Sequence, residues 1–206
     1  MLTADEKIAL KNFNYKKIME LNTGGLFNAM ALIKLGFFKD AEKKLIKYKS
    51  KNQDEYEELS YNLQMLELYR KLLNLKNNFA KVTQRLLNEN VKRKDIIYGN
   101  MALDCLGSEE SKELLEYCID NFGSDFSKFS YENDLAFITK DVNLINKVLK
   151  ETCFKKNLYM SNYANAYKGL ILQNRKILSQ SLNIFRDMGC LPDLEIFKGY
   201  INNTIH

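Results

Sequence analysis

The sequence predicts an all-α fold, and its composition is the first reason. The 206 residues include 30 leucines but only 4 valines and 6 threonines, and Pro192 is the single proline. β-Branched residues favour strands and proline interrupts helices, so a leucine-rich chain with few of either favours helix throughout. The second reason is that apolar residues recur at helical spacing between short breaks.

Glycine and capping residues predict where the helices begin and end. Gly36, Gly107 and Gly189 each follow a periodic apolar segment, which is where a residue just past a helix C-terminus lies. Ser108 precedes Glu109–Glu110, which is typical of an N-cap followed by acid in the first turn. These signals predict helices over Asp5–Leu21, Gly24–Leu35, Lys39–Lys49, Asp54–Leu73, Asn78–Asn90, Lys94–Leu106, Ser108–Asn121, Asp125–Thr139, Val142–Lys155, Leu158–Gln173 and Lys176–Met188, and a last helix from Asp193.

Pairs of these helices form hairpins of about 30 to 37 residues that are joined by short loops. A repeat of this length predicts a solenoid, because one hairpin cannot bury its apolar stripe alone and must stack on its neighbours. We therefore expect an α-solenoid of about five to six antiparallel helix hairpins, forming one domain over residues 1–206. An irregular helical bundle of the same size is the alternative.

The residue types disfavour most enzyme chemistry. The single histidine is His206, the last residue, and chain ends are usually frayed. A nucleophile activated by histidine and a histidine-ligated metal are therefore not expected. The four cysteines form no CxxC pair, so we expect reduced thiols at Cys105, Cys118, Cys153 and Cys190. We predict a non-enzymatic protein without a metal, a cofactor or a small-molecule substrate.

The chain is mildly basic, with a formal net charge of +5. Most of its basic residues are lysines, whereas recognition of phosphate usually relies on arginine. Lys92, Arg93 and Lys94 are the candidate RNA contacts, and a solvated charged face is the alternative. Asp5 and Glu6 interrupt the N-terminal apolar residues, and no apolar run approaches the ~18 residues of a membrane span. A cytoplasmic protein without membrane insertion is expected.

One segment combines small residues, large residues and a glycine in a characteristic order over 26–45. The small residues let two helix backbones approach closely, the glycine eases the turn, and the large residues fill the space between the helices. The residues are Ala29, Leu32, Gly36, Phe38, Ala41 and Leu45. The segment resembles a tetratricopeptide (TPR) repeat, a helical hairpin used to bind protein segments.

Other segments extend this resemblance. Near the C-terminus, Gly169, Leu172, Ser181, Phe185 and Met188 lie at matching offsets. The pair of helices over Ser130–Leu149 has a tight turn but lacks the small residues. The segments Tyr61–Met65, Lys94–Ala102 and Asn133–Phe137 also resemble, in order, the TPR domains found in the larger protein of the signal recognition particle heterodimer.

The resemblance implies a function and a set of contact residues. In TPR proteins the first helix of each hairpin lines a concave groove, where Met30 and Ile33 would form an apolar floor while Lys34 and Asn174 fix the ends of a bound peptide or helix. The alternative is that Met30 and Ile33 are ordinary core residues. The full set of implied partner-binding residues is Met30, Ile33, Lys34, Tyr69, Leu170, Gln173 and Asn174.

A scaffold for a protein partner is therefore the leading expectation, with a signal recognition particle subunit in protein targeting to the endoplasmic reticulum, a ribonucleoprotein setting, as the implied context. An RNA-binding helical repeat is one alternative. An adaptor or immunity-type inhibitory helical protein is the other.

Overall fold

A computed structural model describes residues 4–11, 14–21, 24–75, 108–121 and 125–204. This part of the chain is helical and contains no strand, which confirms the all-α prediction. The helices are α1 Ala4–Lys11, α2 Tyr15–Glu20, α3 Gly25–Lys34, α4 Phe38–Lys47, α5 Gln53–Leu72, α6 Glu109–Asn121, α7 Asp125–Thr139, α8 Val142–Phe154, α9 Leu158–Ile171, α10 Arg175–Met188 and α11 Leu191–Thr204.

The helix boundaries agree with the predicted ones to within two residues from α3 to α11, but the prediction of a single helix over Asp5–Leu21 is wrong. The helix α1 ends at Lys11, and Asn14 begins a new one by accepting a hydrogen bond from the backbone N–H of Lys17 at 3.0 Å. An asparagine side chain competes in this way with the backbone acceptor of a continuing helix. The helices predicted over Asn78–Asn90 and Lys94–Leu106 lie outside the described residues.

Five helix ends in this part of the chain share one turn, in which the residue after the C-cap has a positive φ. The backbone N–H of the next residue then reaches back to an orphan carbonyl, as from Asp141 to Ala136 at 2.9 Å and from Asn174 to Gly169 at 2.8 Å. This is the Schellman arrangement, which satisfies carbonyls at a helix C-terminus. The positive-φ residues are Gly36, Asn74, Lys140, Lys156 and Gln173.

The chain divides into two compact units. Unit 1 comprises Met1–Ile96 and Met188–Ile196, and unit 2 comprises Ile97–Asp187 and Phe197–His206. The last helix, α11, therefore contributes its first residues to unit 1 and its remaining residues to unit 2. The assignment of one domain to residues 1–206 stays a prediction.

In unit 1, α3 is the central helix. It packs against α2, α4 and α5, and α4 also packs against α5. The small residues Ala29 and Ala41 are buried, as the close approach of α3 and α4 requires, and Leu45 is fully buried beside them. Gly36 ends α3 with a φ of 86°.

Unit 2 contains two hairpins that repeat at an interval of 33 residues. The first is α7–α8 and the second is α9–α10, and α7 packs against both α8 and α9. Their turns carry Lys140 and Gln173, each with a positive φ, followed by the capping residues Asp141 and Asn174. The buried residues of the second helices share the same spacing: Ile145 and Leu178, Val148 and Ser181, Thr152 and Phe185.

The repeat also corrects one expectation about the first hairpin of unit 2. Ala136 lies 33 residues before Gly169 and is fully buried, so α7 does have a small residue where α9 has a glycine. At Gly169 a Cβ atom would lie 2.8 Å from Cγ of Leu178, which shows how closely α9 and α10 approach. A pair of hairpins in one register is a necessary feature of a solenoid, and the five to six hairpins of the solenoid stay a prediction.

Candidate functional site

The 33-residue register places Asp134, Tyr167 and Tyr200 at one repeat position on α7, α9 and α11. All three belong to unit 2, and the Tyr167 hydroxyl donates a hydrogen bond of 2.8 Å to Oδ1 of Asp134. Tyr200 forms a further hydrogen bond with Tyr167. We call these three residues the unit 2 ladder. The first two residues lie on the first helices of the two hairpins, and the third lies on α11, which follows the second hairpin.

Aromatic rings surround the unit 2 ladder. Phe137 stacks on Tyr167 with ring centroids 4.6 Å apart and lies 5.5 Å from Tyr200. Phe197 packs edge-on against Tyr167 at 5.2 Å. Phe197 is fully buried, whereas Phe137 and Tyr200 are half-buried.

The environment of the ladder changes its protonation. Burial raises the pKa of the Asp134 carboxyl to about 7, and the hydrogen bond from Tyr167 acts in the opposite direction. Burial also raises the pKa of Tyr200 to about 12, helped by the nearby Asp134 charge and opposed by the hydrogen bond with Tyr167. Near neutral pH the tyrosines therefore stay neutral donors, while Asp134 changes between its neutral and charged forms.

No cation compensates the Asp134 carboxylate among the described residues. Its hydrogen bond comes from the neutral hydroxyl of Tyr167. Lys147 instead pairs with Glu132 at 3.0 Å, and Glu132 lies two residues from Asp134, on a different face of α7. That pairing raises the pKa of Lys147, chiefly through the hydrogen bond with Glu132.

Unit 1 contains a second buried polar cluster, which we call the unit 1 ladder. Lys34 on α3 donates a hydrogen bond of 2.6 Å to the Tyr69 hydroxyl on α5, and that hydroxyl donates a bond of 2.6 Å to Asp193 in the first turn of α11. The Lys34 ammonium also lies 4.9 Å from the centre of the Tyr69 ring. The exposed fractions are 6% for Lys34, 3% for Tyr69 and 0% for Asp193, so a carboxylate and an ammonium share one buried hydroxyl.

The residues that the sequence assigns to a groove therefore have several roles. Lys34 and Tyr69, both expected at the groove, are in direct contact inside unit 1. Ile33 and Leu170 are buried core residues, and Met30 is half-buried. The exposed pair is Gln173, which adopts the positive φ of the α9–α10 turn, and Asn174, whose side chain accepts backbone hydrogen bonds at the start of α10. Their contact with a partner stays a prediction.

Other expectations fall elsewhere in the molecule. Lys92, Arg93 and Lys94 lie outside the described residues. Three cysteines are described, and all are free: Cys118 and Cys190 are buried, and Cys153 is exposed. In the part of the chain that the structure describes, no group of three or more histidine, cysteine or acidic residues is placed to hold a metal ion.

Asp134, Tyr167, Tyr200 and Asp193 are the residues that the sequence reasoning missed. The first ladder residue is an aspartate and the other two are tyrosines, so a search for one residue type at every repeat passes over the row. Their equal spacing of 33 residues is the signal that would have found the unit 2 ladder. No comparable signal exists for Asp193, which lies 124 residues from Tyr69.

None of the helices described is both long and apolar enough to cross a membrane. No family model, curated protein or solved structure matches the chain.

Proposed function

We propose that the chain is a non-enzymatic, TPR-like helical-repeat scaffold that binds a protein partner. The partner contacts the face of unit 2 on which α7, α9 and α11 present the ladder and its half-buried rings. Because the sequence resembles TPR domains of the larger protein of the signal recognition particle heterodimer, a subunit of that particle is the first partner to test.

The observation that carries this proposal is the 33-residue register of unit 2. It aligns the turns, the capping residues and the buried residues of two successive hairpins, and it places the three ladder residues in a row of equal sequence spacing on α7, α9 and α11. Helical repeats of this length use such rows to contact extended or helical segments of other proteins.

The residue types of that row favour a protein partner over RNA. Phe137 and Tyr200 offer half-buried aromatic surface, and the charged member of the row is the acidic Asp134. Aromatic residues are enriched at protein interfaces, whereas a carboxylate repels the phosphates that dominate RNA binding.

The α8–α9 turn adds exposed apolar surface to unit 2. Phe154 is 86% exposed and Leu158 is 53% exposed, on either side of Lys156. Exposed apolar side chains that form a contiguous patch mark contact sites for other proteins. This turn therefore supports a role in protein contact.

The proposal is tested by purifying the tagged full chain from cells of its source and digesting the complex with nuclease. We expect one protein to remain bound at a stoichiometric ratio, identified by mass spectrometry, with a signal recognition particle subunit as the first candidate. Loss of the bound protein after nuclease treatment would indicate an RNA-binding repeat instead. Recovery of the chain alone would contradict the proposed function.

A further inference from the structure

The two ladders differ in one respect: the unit 1 ladder includes a cation, Lys34, whereas no cation among the described residues joins the unit 2 ladder. In unit 1, a tyrosine hydroxyl bridges the buried carboxylate of Asp193 and the ammonium of Lys34. In unit 2, the hydroxyl of Tyr167 bonds to Asp134 and is followed by the neutral Tyr200. A carboxylate removed from water either takes up a proton or pairs with an opposite charge, because burial costs far more free energy than one neutral hydrogen bond returns.

The surroundings of Asp134 fit an organic cation. As a whole residue, Asp134 is half-buried, and its carboxyl group is largely shielded from bulk water. The half-buried residues Phe137 and Tyr200, with ring centroids 5.5 Å apart, both pack near Tyr167, the residue that is bonded to Asp134. A carboxylate beside aromatic faces is the combination that binds a lysine or arginine side chain, through an ion pair and cation–π attraction.

A metal ion fits this place less well. Metal sites need several oxygen, nitrogen or sulfur ligands, and Asp134 is the one carboxylate in the ladder. Lys147, one of the two lysines on the neighbouring helix α8, is already paired with Glu132. The missing cation is therefore best supplied from outside the described part of this chain.

We propose that the unit 2 ladder is a receptor for a basic side chain, a lysine or an arginine, on the partner protein. Its ammonium or guanidinium bonds to the Asp134 carboxylate and packs against the rings of Phe137 and Tyr200, as Lys34 packs over Tyr69 within unit 1. This inference rests on the proposed function and names the chemistry by which the partner is recognised.

The first test uses the full chain and a defined probe. The carboxyl carbon of Asp134 is followed by ¹³C NMR from pH 5 to pH 9, and its signal is assigned by its loss in Asp134→Asn. The probe is Nα-acetylarginine amide, and the neutral Nα-acetylcitrulline amide is the control, both at equal ionic strength. Because a cation binds the ionised form, a probe with a Kd of about 10 mM lowers the apparent pKa by about one unit at about 100 mM.

Three results of this titration are possible. A lower apparent pKa with the arginine probe alone supports the inference. Equal shifts with both probes would indicate a general solvent effect and would overturn it. An unchanged pKa with both probes would also overturn it. The other titratable groups that act on this carboxyl, Tyr167 and Tyr200, remain neutral over the range because their pKa values are raised.

The second test measures the affinity of the captured partner for three forms of the full chain at pH 8. Asp134→Asn keeps an acceptor for Tyr167 and removes the charge, and Asp120→Asn is the matched control because Asp120 is an exposed aspartate on α6. We expect Asp134→Asn to weaken binding at least tenfold and Asp120→Asn to leave it unchanged.

The outcomes separate this inference from the proposed function. If the wild-type chain binds a protein and Asp134→Asn binds it equally well, the inference is wrong and the scaffold function stands. If the wild-type chain binds no protein, both are wrong. If ultracentrifugation shows a wild-type dimer that Asp134→Asn converts to a monomer, the cation comes from a second copy and the assignment to a different protein is overturned.

Discussion

At the scale of single residues, the Tyr69 hydroxyl connects two buried charged groups of unit 1. It accepts a hydrogen bond from Lys34 and donates one to Asp193, and the three side chains are at most 6% exposed. Removing the bridge takes one buried hydrogen bond from each of two charged groups, which costs more than removing a solvated hydrogen bond.

Tyr69→Phe is therefore expected to lower the free energy of unfolding by about 3 kcal/mol, measured by urea denaturation. Tyr117→Phe is the control, because Tyr117 is 47% exposed, and it should change stability by less than about 0.5 kcal/mol. Equal effects of the two substitutions would show that the unit 1 ladder does not stabilise the fold.

Asp134 gives a residue-scale prediction about pH. Burial raises its pKa from 3.8 to about 7. Between these two values, the folded chain holds a proton on Asp134 that the unfolded chain has lost. Stability therefore falls as pH rises from about 4 to about 7 and is level above that range. Asp134→Asn, which carries no charge, removes this loss.

We expect Asp134→Asn to be more stable than the wild type by about 2 kcal/mol at pH 8 and to match it near pH 4. This magnitude allows for solvent screening at a half-buried group. Urea denaturation at the two pH values measures the difference. A difference that is the same at both would contradict the raised pKa.

At the scale of helices, the caps and breaks in the sequence were sufficient to place most boundaries. Gly36 and Gly189 both end helices with a positive φ, and the Ser108 side chain caps the start of α6, as predicted. The break before Asn14 was missed because asparagine is compatible with both a helix interior and a cap, and only the local hydrogen bond decides between them.

The crossing of α9 and α10 gives a prediction about packing. A Cβ at Gly169 would lie 2.8 Å from Cγ of Leu178 and 3.0 Å from its backbone nitrogen, so Gly169→Ala should destabilise the protein by about 1 to 3 kcal/mol. At Gly199 on α11, a Cβ would meet no atom within 4 Å among the described residues beyond its chain neighbours and its own helix backbone. Gly199→Ala should instead stabilise the helix by about 0.5 to 1 kcal/mol.

Thermal and urea unfolding of the two variants compare these effects directly. Opposite changes in stability would support the close approach of the two helices. A stabilising effect of Gly169→Ala would show that α9 and α10 lie farther apart than the structure has them.

At the scale of the whole molecule, the sequence was sufficient for the fold class but not for the site. Leucine content and helical spacing determine that helices form, whereas the contacts within each unit depend on register. Tyr69 and Lys34 were found through a family resemblance, while their partner Asp193 belongs to a distant segment of the chain. The Asp134–Tyr167 bond was missed because its two residues differ in type and share only their spacing.

The central claim is that a protein partner binds the face of unit 2 that carries the ladder. Hydrogen exchange of the full chain with and without its captured partner tests this claim most directly. We predict slower amide exchange in peptides from 131–141, 163–173 and 197–204 when the partner is bound, because these peptides contain the ladder and its neighbouring rings. Slower exchange confined to other parts of the chain, with these three peptides unchanged, would contradict the account.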